Sequence, residues 1–258
     1  MLKKTVVFIC LVLLGCTQFS FAQKSKTPVV KALVLYENGG HHLAFSKRAK
    51  LWLDSIAQKE HWQLDYFTNT DAINDSSLAK YNLFIQLDYP PYTWKPAAVS
   101  AFVDYIDKGK GGWIGLHHAT LLGEFDGYAM WPWFHEFMGS IKFKDYIPGF
   151  AAGKVVVEKS NHPVMKNLPA TFVMENEEWY TYDRSPRPNV EVLAHVDEKS
   201  YTPPSTKTMG DHPVIWSNPS KAARNVYIFM GHSPKHFDNA AYTQLLYNAI
   251  HWASGQKK

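Results

Sequence analysis

Four short segments concentrate residues that can move protons or hold a cation: Gly39-Gly40-His41-His42, Gly115-Leu116-His117-His118, Glu175-Asn176-Glu177-Glu178-Trp179-Tyr180 and Phe229-Met230-Gly231-His232. Imidazole titrates near neutral pH and burial can tune a carboxyl group into the same range, so a convergence of the two is general acid–base equipment. The same atoms suit a borderline divalent cation such as zinc. Taken singly, each histidine reads as a capping or solvated loop residue. Taken together, twelve histidines with two His-His pairs at loop starts after glycine argue for a site. The pattern makes His118 and His232 the catalytic core, with His42 and Glu178 in support and His117 orienting the loop. Glu178 is preferred to Glu177, although strand alternation lets either point inward. If a metal is bound, its ligands come from His42, His118, Glu178 and His232, with no HExxH or comparable local signature to mark it.

A covalent route through sulfur is excluded. The only cysteines are Cys10 and Cys16, both within residues 1–22, and no Gly-x-Ser-x-Gly elbow offers a serine in their place.

Elements must bring these segments together. Val29–Tyr36 reads as a buried strand, followed by the turn Glu37-Asn38-Gly39-Gly40 and a helical stretch to about Lys59. Gln63–Phe67 and Tyr81–Leu87 read as the next strands, and Thr93 as the cap of a helix carrying Ala98, Phe102, Tyr105 and Ile106 on one face. Gly109 and Gly111-Gly112 stop that helix before the run that ends in His117-His118. Strands alternating with helices predict βαβ units and a mostly parallel, doubly wound α/β sheet, whose carboxyl edge gathers residues distant in sequence. From Gly139 onward the pattern changes to shorter strands around Val155–Val157, Phe172–Met174, Val190–Ala194, Val214–Trp216 and Val226–Met230. With no linker before them, they read as an elaboration of one domain spanning 29–255, closed by a helix with Tyr242, Leu245, Leu246, Ala249 and Ala253 on its apolar stripe.

The chain is rich in Trp, Tyr and Phe. Flat aromatic faces suit sugar rings, so Trp131, Trp179 and Tyr180 are candidate pocket walls, with Leu121–Gly139 as the roof and Trp133 and Phe134 as core. His162 and His212 read as loop-shaping, and His195, His236 and His251 as structural.

Residues 1–22 carry Lys3-Lys4, an apolar stretch and Ser20-Phe21-Ala22, the pattern of a cleaved export signal, which implies a periplasmic protein; residues 23–28 then form a short N-terminal segment. The alternative is a lipobox at Leu13-Leu14-Gly15-Cys16, with a lipid anchor on Cys16. Cleavage after Ala22 removes two lysines and no acid, leaving 25 basic against 23 acidic residues and a net charge of +2. Dispersed charge of that size excludes a nucleic-acid partner, and with no cysteine left stability must come from the core.

Gly111-Gly112-Trp113-Ile114-Gly115-Leu116-His117-His118-Ala119, Asn161-His162-Pro163-Val164 with Leu168-Pro169, Glu177-Glu178-Trp179-Tyr180, Gly231-His232 and the ending Ala249–Gly255 resemble the ThuA-like, trehalose-utilisation family over essentially residues 29–255. Glu177 stands where the family usually has aspartate. The resemblance implies a flavodoxin-like fold similar to class I glutamine amidotransferases without their cysteine elbow. It also implies sugar processing beside oxidoreductases that make 3-keto glycosides. Two functions follow as expectations. One is an enzyme that cleaves or isomerises a 3-keto glycoside or disaccharide with His/Glu acid–base residues; the other is a noncatalytic carbohydrate-binding protein.

Overall fold

The computed structural model describes residues 29–255, so the leader, lipobox and short N-terminal segment expected over 1–28 lie outside the described residues. The order of elements is β1 (Lys31–Tyr36), α1 (Leu43–Glu60), β2 (Gln63–Phe67), α2 (Asp75–Leu78), β3 (Leu83–Leu87), α3 (Pro96–Asp107), β4 (Gly112–Leu116), α4 (Pro132–Phe137), β5 (Phe143–Tyr146), β6 (Ala151–Val157), β7 (Thr171–Glu177), β8 (Tyr180–Tyr182), β9 (Glu191–Thr202), β10 (Pro213–Ser217), β11 (Asn225–Ile228) and α5 (Ala240–Ala253).

Nine strands form one sheet in the order β2-β1-β3-β4-β11-β10-β9-β6-β7. The first five are parallel, and β10, β9, β6 and β7 extend the sheet antiparallel. The parallel part has the flavodoxin-like order, with a switch point between β1 and β3 where the chain changes direction across the sheet. β5 and β8 form a separate antiparallel pair that the alternation did not predict, because their residues mix polar and aromatic types.

The central strands are buried on both faces, as β3 (LFIQL) and β4 (GWIGL) show. Ile85, Leu87, Ile114 and Leu116 line a small apolar cavity of about 20 Å3 with Ala49 and Leu53 of α1 and Leu246 and Ile250 of α5, so those two helices cover one face. Phe84 of β3 packs on Phe102 of α3, and Trp113 of β4 on Phe134 and Phe137 of α4, on the other. Helices therefore lie on both faces, and the predicted α5 stripe is buried throughout. Helix α3 begins later than expected. Pro96 at its first position, preset for helical geometry, fixes the start after Lys95, and Thr93 sits in the preceding loop with φ +60°.

Candidate functional site

The carboxyl ends of β1, β3, β4 and β11 meet the end of β7 at one place. β1 runs into Glu37 and, through a short 3-10 turn at Gly40–His42, into α1. β4 runs into a 3-10 turn at His117–Thr120 whose first residue has φ +39°, a costly conformation for a side chain with a Cβ. Hydroxyl groups hold it there: Tyr227 and Thr120 both donate to the His117 carbonyl, at 3.0 and 3.1 Å, and the Thr120 hydroxyl is also 2.8 Å from that of Tyr182. Gly231, between β11 and His232, is packed so closely that a Cβ would lie 2.5 Å from the Cβ of His117 and 2.6 Å from Asp88 Oδ1.

Three imidazoles gather around that of His42. Its ring centroid is 4.0 Å from that of His118, 4.4 Å from His232 and 5.0 Å from His117. His42 Nε2 and His232 Nδ1 are 2.8 Å apart. His117 donates Nδ1–H to the Phe229 carbonyl at 3.1 Å and accepts from the Tyr180 hydroxyl at Nε2, 2.6 Å away. Glu178 Oε2 lies 3.3 Å from His232 Nδ1 and 3.7 Å from His117 Nε2, and Glu37 Oε2 lies 3.2 Å from His118 Nδ1 and 3.7 Å from His42 Nδ1.

Burial decides the protonation of this cluster. It drives His42 down to about 4 and His117, wholly enclosed, well below the ordinary imidazole value, so both rings are neutral at pH 7. Burial also pushes the Glu178 and Glu37 carboxyls up, but their imidazole partners overcome it. The His232 imidazole, 3.3 Å away, holds Glu178 well below the usual carboxylate range, and His118 and His42 hold Glu37 at about 2. Beneath them Glu177 is fully buried. Burial pushes it up to about 8, against the pull of the backbone N–H groups of Glu178 and Gly231, which donate to it at 2.8 and 3.1 Å. Among the described residues neither oxygen of the enclosed Asp88 has a hydrogen-bond partner, and burial, with Glu177 and Glu37 adding repulsion, raises it well above the carboxylate range.

The structure thus brings together His42, His117, His118, Glu178 and His232, and it places Glu178 rather than Glu177 on the imidazoles' outer side. Among the described residues, two groupings have ligand atoms within 4.8 Å of one another: His42, His117, Glu178 and His232, and separately Glu37, His42 and His118. The expected ligand set is corrected accordingly. The turn at His117 directs that ring, not His118, toward Glu178 and His232, while His118 faces Glu37.

The expected sugar walls need correction too. Trp179 has no exposed surface; it stacks on Phe229 with ring centroids 5.3 Å apart and donates to the Ala151 carbonyl, as core residues do. Tyr180 is buried as the hydrogen-bond partner of His117 rather than lining an open face. The ring contacts of Trp131 run to Trp94, Phe102, Trp133 and Phe134, so it belongs to the aromatic packing between α3 and α4. Within the 121–139 segment it is Phe125 that leads toward the site, through Phe143 and Tyr180 to His117.

Four residues escaped the sequence reading. Glu37 and Asp88 each follow a buried strand directly, at the two sides of the switch point, and that position was the signal. His236, read as structural, is buried with Nε2 3.4 Å from Glu177 Oε2 and 3.1 Å from the Glu175 carbonyl. Phe150 is 40% exposed with its ring 4.6 Å from that of His232, and its φ of +64° gave no sequence signal beyond the preceding Pro148-Gly149.

The sequence profile of the ThuA family, described as trehalose utilisation, matches residues 31–253. Among solved structures, a ThuA-like protein from Bacteroides uniformis is similar at 32% identity and a TM-score of 0.79, over 92% of this chain and 96% of that one. A ThuA-like protein from Parabacteroides merdae is similar in fold at 19% identity and a TM-score of 0.62, covering 90% of this chain and 93% of its own. A cytoplasmic protein from Salmonella typhimurium shares the fold at 14% identity and a TM-score of 0.58, over 89% and 100% of the two chains. No protein in the curated comparison matches. By its profile and its 32% identical relative, the chain belongs to the ThuA, trehalose-utilisation family.

Proposed function

We propose that the protein is an exported carbohydrate-processing enzyme that cleaves a 3-keto glycoside by elimination and hydration. The observation that carries this reading is the pairing of His118 Nδ1 with Glu37 Oε2 at 3.2 Å beside the buried, neutral His42 and His117. A ketone at C3 acidifies the C2 proton. Glu37, held ionised, keeps the Nδ1 proton on His118, so Nε2 of that ring is the lone pair that takes the C2 proton. The electron pair left at C2 delocalises to the C3 oxygen as an enolate. It then returns to form the C1–C2 double bond as the C1–O bond breaks, and the leaving alkoxide takes a proton. Water adding at C1 with a proton at C2 completes a net hydrolysis, whereas reprotonation at C2 alone gives an isomer. Phe150, exposed beside His232, replaces Trp131 and Trp179 as the wall for the sugar ring.

The test is incubation with 3-keto-trehalose, followed by NMR, with and without divalent metals. The wild type should consume it, and His118→Ala should be slower by about a hundred- to ten-thousand-fold, as for a lost general base. A wild type that binds the sugar and leaves it unchanged is a noncatalytic binding protein, and the enzyme reading fails.

A further inference from the structure

We infer that His42 Nε2, His117 Nε2, His232 Nδ1 and Glu178 Oε2 together bind one divalent first-row transition-metal ion of the zinc class. The four donors lie within 4.8 Å of one another, with separations of 2.8 Å between His42 and His232, 3.3 Å between His232 and Glu178 and 3.7 Å between His117 and Glu178. Donors about 2.1 Å from a shared ion lie about 3 to 4 Å apart, so these side chains need only small shifts to close on one. Three nitrogens and one carboxylate oxygen favour an ion that accepts imidazole over magnesium or calcium, which take all-oxygen sets.

The remote nitrogens strengthen the assignment. A carbonyl can only accept, so the Phe229 carbonyl fixes the proton of His117 on Nδ1 and leaves Nε2 as a lone pair. Glu37 Oε2 lies 3.7 Å from His42 Nδ1, while His42 Nε2, the other ring nitrogen, faces His232 Nδ1 at 2.8 Å. An acceptor behind the imidazole, as at His117, is the arrangement that orients metal-ligating histidines. The Tyr180 hydroxyl donates to the His117 lone pair at 2.6 Å, and an ion at that nitrogen releases it to donate elsewhere. The second grouping, Glu37 with His42 and His118, offers two nitrogens and a carboxylate, and the His118–Glu37 contact there is already that of an imidazole–carboxylate pair.

The assignment stands on this geometry alone. Only its chemical consequence, an electrophile beside the enolate oxygen, rests on the keto-glycoside reading.

Purified protein loaded with Zn2+ or Co2+ and dialysed is analysed for metal, with circular dichroism to verify the fold of each variant. The wild type should retain about one ion per chain and show a higher Tm with added Zn2+. His117→Ala and Glu178→Gln should lose the retained ion. His118→Ala should keep it, and Tyr180→Phe should keep it at least as tightly, because the competing hydroxyl is gone. Should His117→Ala misfold, Glu178→Gln decides. No retained ion in the wild type, two ions per chain, or loss in His118→Ala with retention in Glu178→Gln would each overturn the assignment. No substrate enters the measurement, so failure of the keto-glycoside activity leaves its outcome untouched.

Discussion

At the residue scale, the site depends on two backbone positions that side-chain chemistry alone would not reveal. Gly231 is one. Gly231→Ala places a Cβ against His117 and Asp88, and the overpacking should cost about 1 to 3 kcal/mol in denaturant unfolding while displacing His232. Unchanged stability and turnover would show that the neighbours yield. Phe150 is the other. Its left-handed backbone suits glycine better by about 1 kcal/mol, so Phe150→Gly should unfold at the same or a higher temperature. The same variant should raise KM for the keto glycoside with little change in kcat, because it removes a wall and no proton carrier. A lower Tm with normal KM would make Phe150 a packing residue. These two show where sequence reading stops. The His-His pairs and the Gly-His segment were legible because imidazoles after apolar runs are chemically conspicuous. Glu37 and Asp88 were obscured because a lone acid in a turn usually meets water, and Trp179 misled because aromatic rings serve cores and sugar sites alike.

At the element scale, the parallel half of the sheet was readable because β1, β3 and β4 are predominantly apolar runs bounded by turn-forming Gly, Asn, Asp or Pro residues, as strands buried on both faces require. The pair β5–β8 was not, since its strands gain their place from long-range contacts such as Phe143 on Tyr180. Nor does the sequence announce the charged clasp that closes the antiparallel half. Arg187 makes paired bonds to Glu158, at 2.8 and 2.9 Å, and bonds to Asp211 at 2.7 and 2.8 Å, while His195 meets Glu158 at 2.7 Å. Arg187 holds both carboxyls below their ordinary range. A depressed folded pKa gives stability that is fully present above the unfolded value, near 4, and is lost as pH falls below it and through the depressed folded pKa. Both Arg187 and Asp211 are more than a third exposed, so solvent screening limits the clasp to about 1 kcal/mol. Arg187→Ala should therefore lower stability by that amount at pH 7, and the gap between wild type and variant should narrow as pH falls below the unfolded value and through the depressed folded ones. A gap of the same size from neutral to strongly acid pH would assign the loss to packing of the arginine stem.

At the scale of the whole molecule, the fold rests on a core that runs the length of the sheet, with Trp113, Trp179, Trp216 and several Phe and Tyr rings almost fully enclosed. Both cysteines lie in residues 1–22, so a chain of residues 23–258 should melt at the same temperature with and without reductant. A reductant-dependent Tm would contradict that. The open end of the sheet supplies the chemistry, where strands far apart in sequence deliver their acids and imidazoles to one edge. The central claim is that this edge removes the proton at C2 of a 3-keto glycoside, and proton exchange reads it most directly. In D2O, wild-type protein given a 3-keto glycoside should place deuterium at C2 of the product or recovered substrate, and His118→Ala should slow that exchange at least as much as it slows turnover. Consumption of the substrate with protium retained at C2 would contradict the account, because the glycosidic bond would then break without passing through the enolate.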